Sequence, residues 1–226
     1  MNRKISVAID GPSGAGKSSS ARRIAKEFGF IYVDTGAIYR TVGLAAALRD
    51  LSPKDRDAVT SLLPEISVRL SYGEDGLQHM YLDGEDVTFR IRTPQISMYA
   101  SDVSAIPEVR AYLMETQRSL ARENDVIMDG RDIGTVVLPD AGLKIFLTAS
   151  PEARARRRYD ELIGKGQEVV FEDVLRDLLQ RDENDTSRAA APLRAAEDAV
   201  LLDTTELDFE QSCRAVADLI RERFGI

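Results

Sequence analysis

Ile5-Ser6-Val7-Ala8-Ile9-Asp10 runs directly into Gly11-Pro12-Ser13-Gly14-Ala15-Gly16-Lys17-Ser18, and the second stretch has the spacing G-x-x-x-x-G-K-S. The apolar run reads as a buried strand, and Ala21, Ile24, Ala25 and Phe28 recur at helical spacing after the loop. A phosphate-binding loop needs that strand-loop-helix context. Its glycines let the backbone curl around a phosphate with several N–H groups turned inward, and the following helix adds the positive end of its dipole. In this reading residues Gly11 through Ser19 hold the donor phosphates, Lys17 reaches the terminal ones and Ser18 holds Mg²⁺. The alternative is a glycine-rich turn with an exposed lysine, which the flanking strand and helix disfavour. A nucleoside triphosphate, ATP in the first instance, is the expected ligand.

The 226 residues suit one large domain of ordinary composition, 43 % hydrophobic and 30 % charged. A net charge of −8 argues against binding a nucleic-acid polymer, so basic clusters mark local sites. Cys213, alone, cannot form an intrachain disulfide and reads as a small core residue of the last helix, which fits a reducing cytoplasm. The first strand begins within the first few residues, so no signal peptide is expected. No apolar run approaches the ~20 residues that span a bilayer, so no membrane association is expected either.

Phe30-Ile31-Tyr32-Val33 is a second short strand, and Asp34-Thr35-Gly36 at its carboxyl end faces the crevice where open α/β sheets bind ligands. Arg40 follows in a helix running from Ala37 to about Leu51; it is either a solvated surface residue or a bidentate phosphate ligand, and the latter is favoured. Ser52-Pro53 reads as the start of another helix reaching Leu63, ended by Pro64. Ile66, Val68 and Leu70 then alternate with polar residues, and a turn at Gly73-Glu74-Asp75-Gly76 returns the chain through Met80-Tyr81-Leu82. This hairpin is an insertion over the crevice and not a separate folding unit. His79, the only histidine, reads as a strand residue without a nearby partner.

Helices from Pro94 to Ser104 and from Pro107 to Leu120 carry Ser101 and Arg110, and a third strand, Val126-Ile127-Met128, leads into Asp129-Gly130-Arg131-Asp132. An acidic residue after an apolar strand is placed to orient Mg²⁺ or its waters; the other reading of Asp129-Gly130 is a simple turn. Leu143–Leu147 is the fourth strand, and Ser150-Pro151 opens a helix with Arg154, Arg156, Arg157 and Arg158. Arg156 has Glu152 and Asp160 four residues to either side and is expected to pair within its helix. Arg154 and Arg158 have no acid at that spacing and are expected to need an external anion; Arg157 can face Glu161. Gly164-Lys165-Gly166 offers the break expected of a lid, against the rival reading of a solvated basic helix. Arg181, Asp185 and Arg188 share a face of the next helix if it continues that far; a self-paired surface is the rival reading. A last strand, Ala199 to Leu202, precedes a helix with a capping box, Asp208 and Gln211, and a core stripe of Phe209, Val216, Leu219 and Ile220.

Taken together, the glycine loop, Asp34-Thr35-Gly36-Ala37-Ile38-Tyr39-Arg40, Asp129-Gly130-Arg131-Asp132-Ile133-Gly134, and Arg181-Asp182 through Asp185 to Arg188 and Ala191-Pro192-Leu193 resemble the bacterial cytidylate kinases over nearly the whole chain. Other P-loop kinases share only the first motif. The resemblance implies an α/β P-loop kinase with a central five-stranded parallel sheet, a core of about 1–62 and 103–226, a nucleoside-monophosphate-binding insert of about 63–102 and an arginine-rich lid of about 152–168. It implies transfer of phosphate from ATP, with Mg²⁺, to CMP or dCMP by a monomer. Arg40 and Arg131 are then acceptor-phosphate ligands, Thr35 is a further CMP-binding residue, Ser101, Arg110 and Asp132 read the cytosine edge, Arg181 and Asp185 touch the sugar, and Arg188 assists at the phosphate. Arg154 and Arg157 go to ATP, while Lys17, Arg131, Arg158, Arg188 and Asp129 serve the transfer. Two rivals remain open: a P-loop kinase of UMP, shikimate or a coenzyme precursor, and a nucleotide-dependent switch without an acceptor. The chain has no N-K-x-D guanine signature.

Overall fold

The computed structural model describes residues 4–74 and 76–226. Its main sheet has five strands: β1 (Ser6–Asp10), β2 (Ile31–Asp34), β6 (Val126–Gly130), β7 (Leu143–Thr148) and β8 (Val200–Asp203). Their order is β2-β6-β1-β7-β8 and every pairing is parallel. Both faces of such a sheet must be covered, so its strands are apolar throughout and successive side chains feed two cores. In β1, Ala8 joins Val33 and Met128 beneath α2 (Thr35–Ala47) and α5 (Pro107–Glu123), whereas Val7 and Ile9 join Ile127 and Ile145 beneath α1 (Lys17–Phe28) and α8 (Phe209–Phe224).

The inserted region holds three antiparallel strands, β3 (Val68–Tyr72), β4 (Gln78–Leu82) and β5 (Glu85–Asp86), one more than the hairpin expected. Met80, Leu82, Val87 and Ile91 are buried in the same core as Val33 and Ile38, so the insert shares its interior with the main sheet. Of the turn expected at Gly73-Glu74-Asp75-Gly76, Asp75 lies outside the described residues; Gly76 N–H donates to Gly73 O at 2.9 Å. α4 (Pro94–Val103) lies close on α2, where a Cβ on Gly43 would stand 3.1 Å from Tyr99 Cβ. α6 (Pro151–Gly164) and α7 (Phe171–Ser187) pack on each other near the P-loop.

Several local expectations are corrected. α2 stops at Ala47, and Ser52-Pro53 caps nothing: the next helix, α3 (Arg56–Leu62), is capped by Asp55, whose Oδ1 accepts from Ala58 N at 3.1 Å. Asp55 wins because a carboxylate at that position reaches the orphan N–H directly. Pro64 does not end the segment but sits in a 3₁₀ turn, Leu63–Glu65. Phe209 is 48 % exposed and does not belong to the core stripe, since α8 begins at that residue beyond the sheet edge; Val216 and Ile220 are buried as expected. The capping box of Asp208 and Gln211 is present, and Cys213 is buried. A π-helical turn, Ile133–Val137, follows β6 and has no forewarning in the pattern.

Two glycines separate space from backbone strain. Gly11 has φ +146 and a Cβ there would fall 1.9 Å from Leu147 O, whereas Gly29, with φ +70, has open space around it. Gly29→Ala is expected to cost about 1 to 2 kcal/mol, the left-handed penalty alone. Gly11→Ala is expected to cost about 4 kcal/mol or more, because backbone must move. Urea unfolding of both variants checks this, and equal losses would refute the steric argument.

Candidate active site

The carboxyl ends of β1, β2 and β6 open into a cleft of about 1050 Å³. It is lined by Ser13 through Ser19 of the loop, and by Thr35, Arg40, Ser101, Arg110, Asp129, Arg131, Asp132, Arg157, Arg158, Arg181, Asp185 and Arg188. Of the expected site residues only Gly11, Pro12 and Arg154 lie outside the lining. Lys17 is buried, and its Nζ donates to Pro12 O at 2.7 Å. Burial and the neighbouring Arg131 charge pull its pKa down to about 7, against the opposing charges of Asp129, Asp10 and Asp185.

Asp129 is held by two hydroxyls: Ser18 Oγ donates to Oδ2 and Tyr32 O–H donates to Oδ1, both at 2.8 Å. Burial and the Asp34 charge on the adjacent strand push its pKa up. Thr35 Oγ1 donates to Asp129 O at 2.7 Å, which ties α2 to the end of β6. Gly130 permits that approach, since a Cβ there would lie 2.7 Å from the same hydroxyl. Ser18 and Asp129 are hard oxygen donors suited to Mg²⁺, and among the described residues no cluster of three or more acidic, histidine or cysteine ligands exists.

Across the cleft, carboxylates and guanidinium groups interlock. Arg110 and Asp132 form a buried ion pair, and Arg188 lies 3.5 Å from Asp132 while donating to Ser104 Oγ at 3.0 Å. Arg131 Nε donates to Asp185 at 2.6 Å, and Ser101 Oγ donates to the other oxygen at 3.5 Å. Arg40 donates to Asp34 at 2.8 Å. Burial would raise the Asp34 pKa, but Arg40 and the Ala37 N–H together hold it below the ordinary carboxylate value. Asp185 is likewise held low, by Arg131 against burial. Lys17, Arg40, Arg110, Arg131, Arg181 and Arg188 outnumber Asp34, Asp129, Asp132 and Asp185. The surplus shows in buried donors without acceptors: Arg40 Nε and Arg181 Nε have no hydrogen-bond partner. Burial and Arg131 lower the Arg181 pKa to about 10. α7 runs to Ser187, so Arg181 and Asp185 share its cleft face, while Arg188 is the extended residue that follows.

The arginines of α6 behave differently from their sequence spacing. Arg154 does not lack an acid: it is buried against Asp182 of α7 at 2.5 Å and donates to Ser13 O and Ala149 O, each at 2.9 Å. Arg158 pairs with Glu161 at 2.7 Å, three residues on. Arg157 does not face Glu161; it donates to Thr204 Oγ1, Thr204 O and Leu207 O. Arg156 does not pair with Glu152 or Asp160, and its guanidinium lies 4.6 Å from the Phe171 ring centroid and 5.5 Å from that of Tyr159. Tertiary neighbours outcompete exposed helix pairs, which contribute only about 0.2 to 0.5 kcal/mol. His79 does have a partner, Asp86 at 3.2 Å across the insert, and it lines the cleft.

Tyr32, Gln78, Arg92 and Phe209 also line the cleft and had no expected role there. Only Tyr32 was findable: it stands two residues before Asp34 in β2, and strand alternation puts both on one face. Gln78 acts across the sheets, its Oε1 accepting from Asp34 N at 2.9 Å. Asp10 works from beneath, its two oxygens accepting from Ile133 N and Gly134 N at 2.7 Å each, which fixes the turn carrying Arg131 and Asp132.

A parallel sheet with this loop, an acidic β6 terminus and a second cationic wall defines a P-loop kinase of small molecules. The model of the family "Cytidylate kinase" matches residues 7–222. A cytidylate kinase of Caldicellulosiruptor bescii is 50 % identical over 96 % of this chain and 96 % of that protein, and one of Carboxydothermus hydrogenoformans is 50 % identical over 95 % and 96 %. A gluconokinase structure from Sinorhizobium meliloti has the same fold at a TM-score of 0.50 and 15 % identity, covering 100 % of this chain and 97 % of that one. The chain belongs to the cytidylate kinase family.

Burial pushes the Asp10 pKa up from 3.8 to about 6 even though two backbone N–H groups oppose the shift. A raised carboxyl means that the fold disfavours the ionised form: the penalty is full above about pH 6 and fades as pH falls towards 3.8. Relative to the native chain, Asp10→Asn should therefore gain stability from pH 4 to pH 7, by on the order of 3 kcal/mol. Urea unfolding of both proteins across that range measures the difference, and a difference independent of pH would exclude the assignment.

Proposed function

We propose that this protein transfers the γ-phosphoryl group of ATP to CMP or dCMP, giving the nucleoside diphosphate and ADP. Family membership supports the reaction. The observation that carries it at the level of the site is one cleft with a phosphate loop on one wall and Arg40, Arg131, Arg181 and Arg188 on the other. A switch protein without an acceptor would leave that second wall, with its two unpartnered Nε donors, no anion to hold. In this reading Gly11 through Ser19 and Arg157 bind ATP, with Arg154 acting through Ser13. Thr35, Arg40, Arg131 and Arg188 bind the acceptor phosphate. Ser101, Arg110 and Asp132 read cytosine, and Arg181 and Asp185 take the sugar end.

The transfer joins two polyanions, so the protein's task is orientation and charge compensation. An oxygen of the acceptor phosphate attacks the γ-phosphorus in line while the bond to the β-phosphate oxygen breaks and ADP departs. That oxygen is already anionic at neutral pH, so no strong general base is required. Lys17, Arg131, Arg158 and Arg188 offset charge on the moving phosphoryl group, and Ser18 with Asp129, directly or through water, would hold Mg²⁺. The bound ion would supply further charge neutralisation at the donor phosphates. Segments of about 63–102 and 152–168 act as acceptor-binding insert and lid, closing on the nucleotides to exclude water. The reading includes a monomeric enzyme, and the single buried cysteine suits the cytoplasm.

ADP release with MgATP and CMP, dCMP, UMP, AMP or GMP in separate assays tests the reading: rapid turnover is expected with CMP and dCMP only. Lys17→Ala is expected to abolish it with unfolding unchanged, and Arg131→Ala to lower kcat by about 10³-fold or more. Turnover with another acceptor alone would discard the cytosine site, and no acceptor dependence would discard the kinase.

A further inference from the structure

Asp182 directly follows Arg181 in the chain, yet the proposed reaction uses only the arginine. Asp182 points the other way, towards the donor loop. Its Oδ1 accepts from Ser13 N at 3.3 Å and its Oδ2 from Arg154 Nη1 at 2.5 Å, and that same Nη1 donates to Ser13 O at 2.9 Å. The Ser13 residue is thus gripped at both its N–H and its carbonyl. One turn earlier in α7, Leu178 seats on the loop: a Cβ on Gly14 would lie 3.2 Å from Leu178 Cδ1. One turn later, Asp185 accepts from Arg131 Nε at 2.6 Å and from Ser101 Oγ at 3.5 Å. A single stretch of helix therefore touches the P-loop with residues 178 and 182 and the acceptor wall with residues 181 and 185.

We propose that Asp182 is a positioning residue that couples the two nucleotide sites, fixing the P-loop to α7 so that ordering one wall orients the other. The inference rests on the kinase reading, because it requires both nucleotides. Asp182 touches neither of them; it acts through Ser13 and Arg154. Its side chain is 17 % exposed, so the carboxylate is partly solvated and its contact can yield without the core opening. Coupling of this kind is reciprocal: the factor by which the triphosphate tightens the acceptor equals the factor in the other direction.

Calorimetric titration with CMP, with and without saturating Mg²⁺ and the non-hydrolysable ATP analogue AMP-PNP, tests this. In the native chain the analogue is expected to tighten CMP by about five-fold or more. Asp182→Asn keeps the size and an acceptor for Ser13 N–H but turns a donor towards Arg154. It is expected to leave each ligand's separate Kd unchanged and to remove the coupling in both directions. Retention of coupling in Asp182→Asn, or its absence in the native chain when both ligands bind, overturns the proposal. Loss of both separate affinities in the variant also overturns it, by making Asp182 a structural support. Failure of the native chain to bind CMP overturns the cytosine-site reading first, and this inference with it.

Discussion

Parallel pairing in register sets Asp34 opposite Asp129 on adjacent strands, β2 and β6, and Asp10 opposite Gly130. Two buried carboxylates side by side cannot both stay ionised without compensation. The fold supplies it unequally. Asp34 receives Arg40 and remains below its ordinary pKa, while Asp129 receives hydroxyls from Ser18 and Tyr32 and is pushed up. The two acids so differ in their surroundings: Asp34 fixes an arginine and caps α2, and Asp129 is the one that in the proposed reaction would hold a cation.

The same logic extends outward. A guanidinium buried without a counter-charge costs several kcal/mol, so the cationic wall is built as pairs, Arg110 with Asp132 and Arg131 with Asp185, and behind the phosphate loop Arg154 is paired with Asp182. Each pair joins different elements, which makes the charges structural as well as functional. The chain as a whole carries a net charge of −8, yet cations concentrate where the anionic substrates of the proposed reaction would meet.

How much of this was legible in the sequence depends on the range of the interaction. The strand-loop-helix around Lys17, the five separate apolar strands and the capping box at Asp208 follow from local pattern, the parallel arrangement of the sheet was implied by the family resemblance, and all are present. Partners distant in sequence were not legible. Arg154 finds Asp182, 28 residues on, and Arg157 finds the backbone at Thr204 and Leu207, so a helix-spacing rule misjudged both. Gln78 bonding to the Asp34 backbone, and Asp10 to Ile133 and Gly134, likewise depend on how sheets and turns meet. Family resemblance named the acceptor residues, which spacing alone could not assign to base, sugar or phosphate.

The pairing also bears on how tightly a nucleotide can bind. In the proposed reaction an incoming phosphate would not meet free arginines: for Arg40 and Arg131 it would compete with Asp34 and Asp185, so part of its attraction would go to exchanging one anion for another. Among the described residues of the lining, the buried donors without a partner are Arg40 Nε, Arg181 Nε and the Tyr39 hydroxyl. Affinity is then a difference between two well-paired states, smaller than the number of arginines suggests. An enzyme gains from that arrangement, because uniform tight binding of the acceptor would not lower the barrier to transfer. Guanidinium groups already oriented by carboxylates need little reorganisation when charge shifts in the transition state, and electrostatic catalysis depends on that preorganisation.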